Sequence, residues 1–313
     1  MSIGIILYGL NRAISTGSFD ALFIDSYIDV FGKNKLHDIT TRINVLDALG
    51  LAAGSLSGGI LPEISNGWSP IFGTYDLNLV VQIVMTIILI ILVIIFVNEA
   101  NLQQKEERIS VIEHVKRSSL FIVNSKNVIC IFISVFATGY FLSALETYWQ
   151  PHFISLQTNN DQLFLLGIVA FLYLVAAMAG SLISNKNIDR FNSRKIYLVL
   201  RVLMSISIVF TALQTNISSF IVCYIITYLI FGMANIPEAV ILNREISNKI
   251  RASILSLNSL ILQIGMLLGS IANSIMIKYI SIPRIWIISA IIIFLSILIT
   301  SKKLLEADKF SSS

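Results

Sequence analysis

Charge is what this sequence has least of. Asp, Glu, Lys and Arg make up 13% of the 313 residues and hydrophobic residues 56%, whereas soluble domains carry about 25% charged residues. That balance excludes a soluble globular chain and leaves a polytopic membrane protein whose first partner is the lipid bilayer. Cysteine is nearly missing. Cys130 and Cys223 both sit in apolar runs, which rules out a disulfide framework and reads as two small core hydrophobes. His37, His114 and His152 are each solitary, so no metal site is expected. No nucleophile, base or phosphate-loop constellation appears either, so no cofactor and no enzymatic activity are expected. A basic run interleaved with aromatics is absent, which excludes nucleic acid as a partner. The first residues lack a basic stretch and a cleavage site, so no signal peptide is expected.

Long apolar runs are what the sequence has instead. Stretches of roughly 20 residues cross about 30 Å of hydrocarbon. Nine such spans lie at approximately 3–25, 43–62, 77–97, 127–149, 162–184, 196–214, 217–242, 252–277 and 284–301. The fold class expected is therefore an all-α polytopic membrane protein. Eighteen Lys and Arg residues fall in alternate connections and in the C-terminal tail, while the opposite connections hold only Lys278 and Arg284. Basic residues stay on the cytoplasmic side. The C-terminus is thus expected in the cytoplasm and, with nine spans, the N-terminus outside, in a multi-pass protein of the cell membrane.

The longest connection divides the chain. Residues 98–126 are charged, and Ile109, Ile112 and Val115 recur among Lys and Glu at helical spacing within 106–118. That pattern predicts an amphipathic helix on the inner membrane surface. The organisation expected is a three-helix partial bundle (1–97), this linker (98–126), a complete six-helix bundle (127–301) and a cytoplasmic tail (302–313).

Within this frame one segment repeats. Leu46–Ile60 carries Gly50, Gly54 and Gly58 four residues apart, on one helix face. In a bilayer such spacing lets two backbones approach closely. Leu257–Ile271 matches it at seven of fifteen positions, with Gly54 over Gly265 and Gly58 over Gly269. Upstream, Asp20–Asp25 (DALFID) matches Glu238–Asn243 (EAVILN). An acid, an alanine, three apolar residues and an Asp or Asn thus precede each Gly-rich helix. This reads as a duplicated unit of six spans, both copies pointing the same way. The second copy is complete and the first shows only its last three spans, so about three more are expected ahead of Met1.

Two parallel six-helix halves joined by a cytoplasmic linker resemble the major facilitator superfamily, and local motifs carry the resemblance further. Gly50-x-x-x-Gly54-Ser55-x-x-Gly58-Gly59 resembles the superfamily's antiporter motif in its fifth helix, with Ser55 where Pro is usual. Gly180 followed by Asp189-Arg190-Phe191-Asn192-Ser193-Arg194-Lys195 resembles its loop motif, with Ser193 at the usual Gly and longer spacing. Arg12 and Gly17 resemble its fourth-helix Arg-x-x-x-Gly motif with one extra residue between them. The resemblance implies helices four to twelve of such a transporter. It also implies secondary active transport of a small organic solute, proton-coupled and of efflux or antiporter type. Nutrient uptake and a non-transporting remnant are the alternatives.

Several residues are candidates for that chemistry. Arg12 lies mid-span, where a charge costs a few kcal/mol; it serves as a cavity cation or as part of a structural polar network. Asp20 lies eight residues on, about 12 Å along the axis, too far for a simple pair. Glu146, followed by Tyr148, Trp149 and Gln150, is either a proton-coupling acid at the outer mouth of a cavity or an interfacial residue reaching water. In the seventh span Asn235 and Glu238 flank Pro237, which removes a backbone bond and predicts a kink; Glu238 then ties a gate or holds a proton. Asp25 and the glycines Gly50, Gly54, Gly58, Gly265 and Gly269 are expected in helix packing and gating. Arg201 is expected to snorkel to the inner surface. The resemblance implies that Asp189, with Arg190, meets the start of the Gly-rich helix of the other half, near Arg42–Asn44.

Overall fold

The computed structural model describes residues 21–32, 35–65, 73, 76–96, 125–157, 164–188, 192–246 and 248–309. The elements among them are the helices α1 (Ala21–Phe31), α2 (Leu36–Ser65), α3 (Asp76–Phe96), α4 (Lys126–Ser155) and α5 (Phe164–Asn187), then α6 (Ser193–Ala212), α7 (Ile217–Glu245), α8 (Asn248–Met276) and α9 (Ile282–Lys309). Among the described residues eight helices, α2 to α9, are long and apolar enough to cross a bilayer. This is the all-helical architecture that composition required. The amphipathic segment expected over 106–118 lies outside the described residues.

Most helices outrun their apolar stretches. α2 and α4 each have 30 residues, about 45 Å of helix, enough for the hydrocarbon and both headgroup layers. The apolar runs at 43–62 and 127–149 end where hydrocarbon ends, but backbone groups still need partners in the interface, so the helix continues. Pro62 and Pro151 lie inside these helices near their ends, where each removes a single backbone bond. Helix starts are set by local chemistry. Asn192 Oδ1 accepts from the Arg194 and Lys195 amides at 2.9 and 3.3 Å, and Asn216 Oδ1 from the Ser218 amide at 2.8 Å. Both are N-caps that satisfy orphan donors.

α4 is the axis of the fold. It packs on α8, α9 and α7, and its buried positions run from Val128 to Phe153. Close approach to α8 rests on small residues. A Cβ at Gly139 would overlap the Leu262 carbonyl, one at Gly265 the Phe136 carbonyl, and one at Gly269 the Ser143 hydroxyl. Fully buried Asn273 donates to Ser143 Oγ at 3.2 Å beside them. α5 and α7 repeat the device: a Cβ at Gly180 would overlap the Leu229 carbonyl and one at Gly232 the Ala177 carbonyl, and Ser181 Oγ reaches the Gly232 carbonyl at 3.2 Å. With no water to expel between helices, such contacts and short polar bonds hold the bundle.

One end of the bundle is tied by polar side chains. Asn127 Nδ2 and Arg194 Nη2 both donate to Glu245 Oε1, at 2.7 and 3.0 Å. This joins the starts of α4 and α6 to the end of α7. Lys126, Lys195 and Arg244 lie in the same terminal turns, and Lys302 and Lys303 about two turns inside the end of α9, so this is the basic end. α2 packs on α5 and α7, and α1 on α2 and α8. α3 has no buried residue; Asn78 Nδ2 ties it to α2 through the Gly58 carbonyl at 3.2 Å.

Candidate functional site

A polar network crosses the middle of the α4, α6 and α7 trio. Arg201 of α6 is 2% exposed. Its Nη1 donates to Thr138 Oγ1 and its Nη2 to the Ser134 carbonyl at 2.8 Å, both on α4. One turn earlier on α6, fully buried Tyr197 donates its hydroxyl to Glu238 Oε2 of α7 at 2.7 Å. The Arg201 guanidinium lies 5.9 Å from the Tyr197 ring and is electrostatically coupled to Glu238. The expectation that Arg201 snorkels is therefore wrong. Its face of α6 turns toward α4, where the Ser134 carbonyl, which also accepts from Thr138 Oγ1 at 3.0 Å, the Thr138 hydroxyl and a nearby carboxylate replace water. Glu238 itself is half-buried, so the network keeps one window to the surface. Pro237 is buried in α7 beside it, and Asn235 is half-buried one turn before.

A second set of contacts joins α1 and α2 to the six-helix bundle at the basic end. Asp25 of α1 forms an ion pair with Arg251 of α8, whose side chain is fully buried. Asp38, at the start of α2, accepts from Asn185 Nδ2 near the end of α5 at 3.2 Å. Asp189 and Arg190 lie outside the described residues, and so do Arg12 and Asp20.

Toward the opposite end the bundle fills with aromatic rings. Trp149 is buried between Phe153, Tyr173 and Tyr224, with centroids at 6.3, 5.8 and 5.6 Å. Tyr173 lies 4.2 Å from Tyr228 and 5.2 Å from Tyr224. Buried His152 stacks edge-on to Phe220 and Trp286, and Trp286 Nε1 donates to the Ala144 carbonyl at 3.1 Å. Glu146 and Gln150 are exposed and Tyr148 is half-buried. The Glu146 carboxylate acts electrostatically on Tyr173, Tyr224 and Tyr228.

The glycines of the repeat part company. Gly265 and Gly269 press against α4, whereas an added Cβ at Gly50, Gly54 or Gly58 meets no atom within 4 Å among the described residues. Gly58 takes part through its carbonyl only, as acceptor for Asn78. In the second copy the partner is α4; no helix holds the corresponding place in the first copy among the described residues.

A family model for the Major Facilitator Superfamily matches residues 128–311, more than half of the chain. The chain belongs to the Major Facilitator Superfamily. It is thus a multi-pass membrane protein of a transporter family. No curated protein matches it.

For this Major Facilitator Superfamily member the structure supplies partners that sequence reading missed. Ser134, Thr138 and Tyr197 around Arg201, Arg251 opposite Asp25, and Tyr173, Tyr224 and Tyr228 beside Trp149 were not singled out. One signal for the first group was present. An arginine and an acid in separate apolar spans are costly apart and face the protein interior. Among the described residues no group of three or more His, Cys, Asp or Glu side chains could hold a metal ion.

Proposed function

We propose that this protein is a secondary active transporter that exports a small organic solute across the cell membrane in exchange for protons, with Glu238 as the proton-binding residue. The single observation that carries the reading is the Glu238–Tyr197–Arg201 network. An ionised Glu238 accepts from Tyr197 and offsets the Arg201 charge. Protonation removes that charge, leaving Arg201 held by Thr138 and Ser134 alone. The imbalance falls on α7 beside Pro237, where the helix lacks one backbone bond and is the most easily bent. Its half-buried position gives Glu238 a route for a proton.

Alternating access requires contacts that close one side and can be released. Asp25–Arg251 and Asp38–Asn185 join α1 and α2 to α8 and α5 at the basic end, which the distribution of Lys and Arg assigns to the cytoplasm. With these contacts made, the proposed pathway is closed to the cytoplasm and opens on the other side. The C-terminus is then cytoplasmic and the N-terminus outside. Export rather than uptake rests on the resemblance of the Gly50–Gly59 stretch to an antiporter motif.

The test is proton flux in proteoliposomes carrying a pH-sensitive dye, challenged with outward gradients of amine, neutral and acidic organic solutes. At least one class should drive proton entry. Glu238→Gln should abolish the proton signal while solute exchange persists, and Tyr197→Phe should shift its pH profile. Full proton coupling in Glu238→Gln would overturn the assignment.

A further inference from the structure

One face of α7 carries Tyr224, Tyr228, Phe231, Asn235 and Glu238, spaced alternately four and three residues apart. The first three belong to the aromatic cluster and the last to the charged network. Tyr228 and Glu238 are ten residues apart, about 15 Å along the helix. Two of the phenols are buried in the cluster. Tyr224 is fully buried and Tyr228 is 3% exposed. Their rings are 5.1 Å apart, and the only hydrogen-bond partner either hydroxyl has among the described residues is the other. The phenol oxygens keep acceptor capacity that a bound group offering N–H donors can fill.

The surroundings select the kind of group. Tyr173, Tyr228 and Phe231 present ring faces and edges within 6.1 Å of one another in sequence along the cluster. Tyr173 and Phe231 are half-buried, so the cluster is reached from that side. Glu146 stands at its edge, exposed, its charge acting on all three phenols. No Lys or Arg takes part in the cluster among the described residues. Aromatic faces attract cations, phenol oxygens accept from N–H donors, and a carboxylate supplies the counter-charge. An anion could accept from the phenol O–H groups, but it would face the Glu146 carboxylate with no cation in the cluster to offset that repulsion among the described residues.

We propose that Tyr173, Tyr224 and Tyr228, with Glu146 at their edge, bind the protonated amine of an organic ammonium solute. This rests on the transport reading above and names its substrate class. It also separates two acids: Glu146 holds the solute and Glu238 the proton, joined by one face of α7.

The test is calorimetric binding to the full chain in nanodiscs at neutral pH. The probes are three ligands of one shape: benzylamine, benzyl alcohol and benzoate. Benzylamine should bind about tenfold or more tighter than the other two. Tyr228→Phe keeps the ring and should weaken it roughly threefold to tenfold; Glu146→Gln should weaken it further. Thermal unfolding checks each variant, with Tyr173→Phe as substitute if one fails to fold. Equal or tighter binding of benzoate or benzyl alcohol would overturn the proposal. So would an absence of benzylamine binding, or binding unchanged in both variants. Amine binding without proton flux would uphold this site and refute the transport reading. Proton-coupled flux of a neutral or acidic solute without amine binding would do the reverse.

Discussion

Gly54 and Gly265 occupy matching places in the internal repeat, and the structure gives them opposite responses to one methyl group. At Gly265 a Cβ would overlap the Phe136 carbonyl oxygen and press on Gly139 Cα at 3.3 Å. Both obstacles are backbone, so no side chain can rotate away and α4 and α8 must separate. Overpacking a close interface costs about 1–3 kcal/mol. Separation would also stretch the nearby Asn273–Ser143 bond, 3.2 Å long, so the upper half of that range applies. At Gly54 nothing lies within 4 Å of the added atom among the described residues. There, alanine changes only helix propensity, a gain of up to about 1 kcal/mol. The propensity gain applies at both sites and cancels, so the two variants should differ by roughly 2–3 kcal/mol, on the order of 30- to 140-fold in the folded-to-unfolded ratio. Unfolding in detergent reports the difference through reaction of Cys130, 2% exposed in the native fold, with a maleimide dye in a Cys223→Ser background. Equal destabilisation by Gly54→Ala and Gly265→Ala would refute the argument.

Other perturbations address other contacts. Arg201→Met removes the bonds to Thr138 and Ser134 and the charge coupled to Glu238, and should destabilise by about 3–5 kcal/mol; adding Glu238→Gln should restore part of that loss in the same unfolding assay. Arg251→Gln breaks the pair with Asp25, so spin labels on α1 and α8 near the basic end should report a longer or broader distance distribution than in the unsubstituted protein. Trp286→Phe keeps the ring stacked on Phe220, at 5.8 Å and 14°, but loses the bond to the Ala144 carbonyl. It should cost about 1 kcal/mol by thermal unfolding.

What could be read beforehand was whatever depends on the chain locally. Apolar runs placed α3 at 77–97, within a residue of its observed bounds Asp76–Phe96, because lipid thickness alone dictates such a helix. Pairing is not local. The sequence marks Gly265 as a close-approach position, but its partner Gly139 lies more than a hundred residues away, and only the fold brings them together. Arg201 shows the same limit in another form. Its depth along α6 was legible and suggested escape to water, whereas its direction around the helix axis was not, and that direction sends it into α4. The tyrosines of α5 and α7 look like ordinary core aromatics one at a time. Only their convergence, with the Tyr224 and Tyr228 hydroxyls partnered by each other alone among the described residues, distinguishes them.

In the proposed mechanism a proton binds and leaves at Glu238. Infrared difference spectroscopy across a pH titration reads this directly, because a protonated carboxyl has a carbonyl stretch that a carboxylate lacks. A titrating carboxyl band is expected, lost in Glu238→Gln and displaced in Tyr197→Phe, where the hydrogen bond to Glu238 is gone. An identical difference spectrum in Glu238→Gln, or a band lost only in Glu146→Gln, would contradict it.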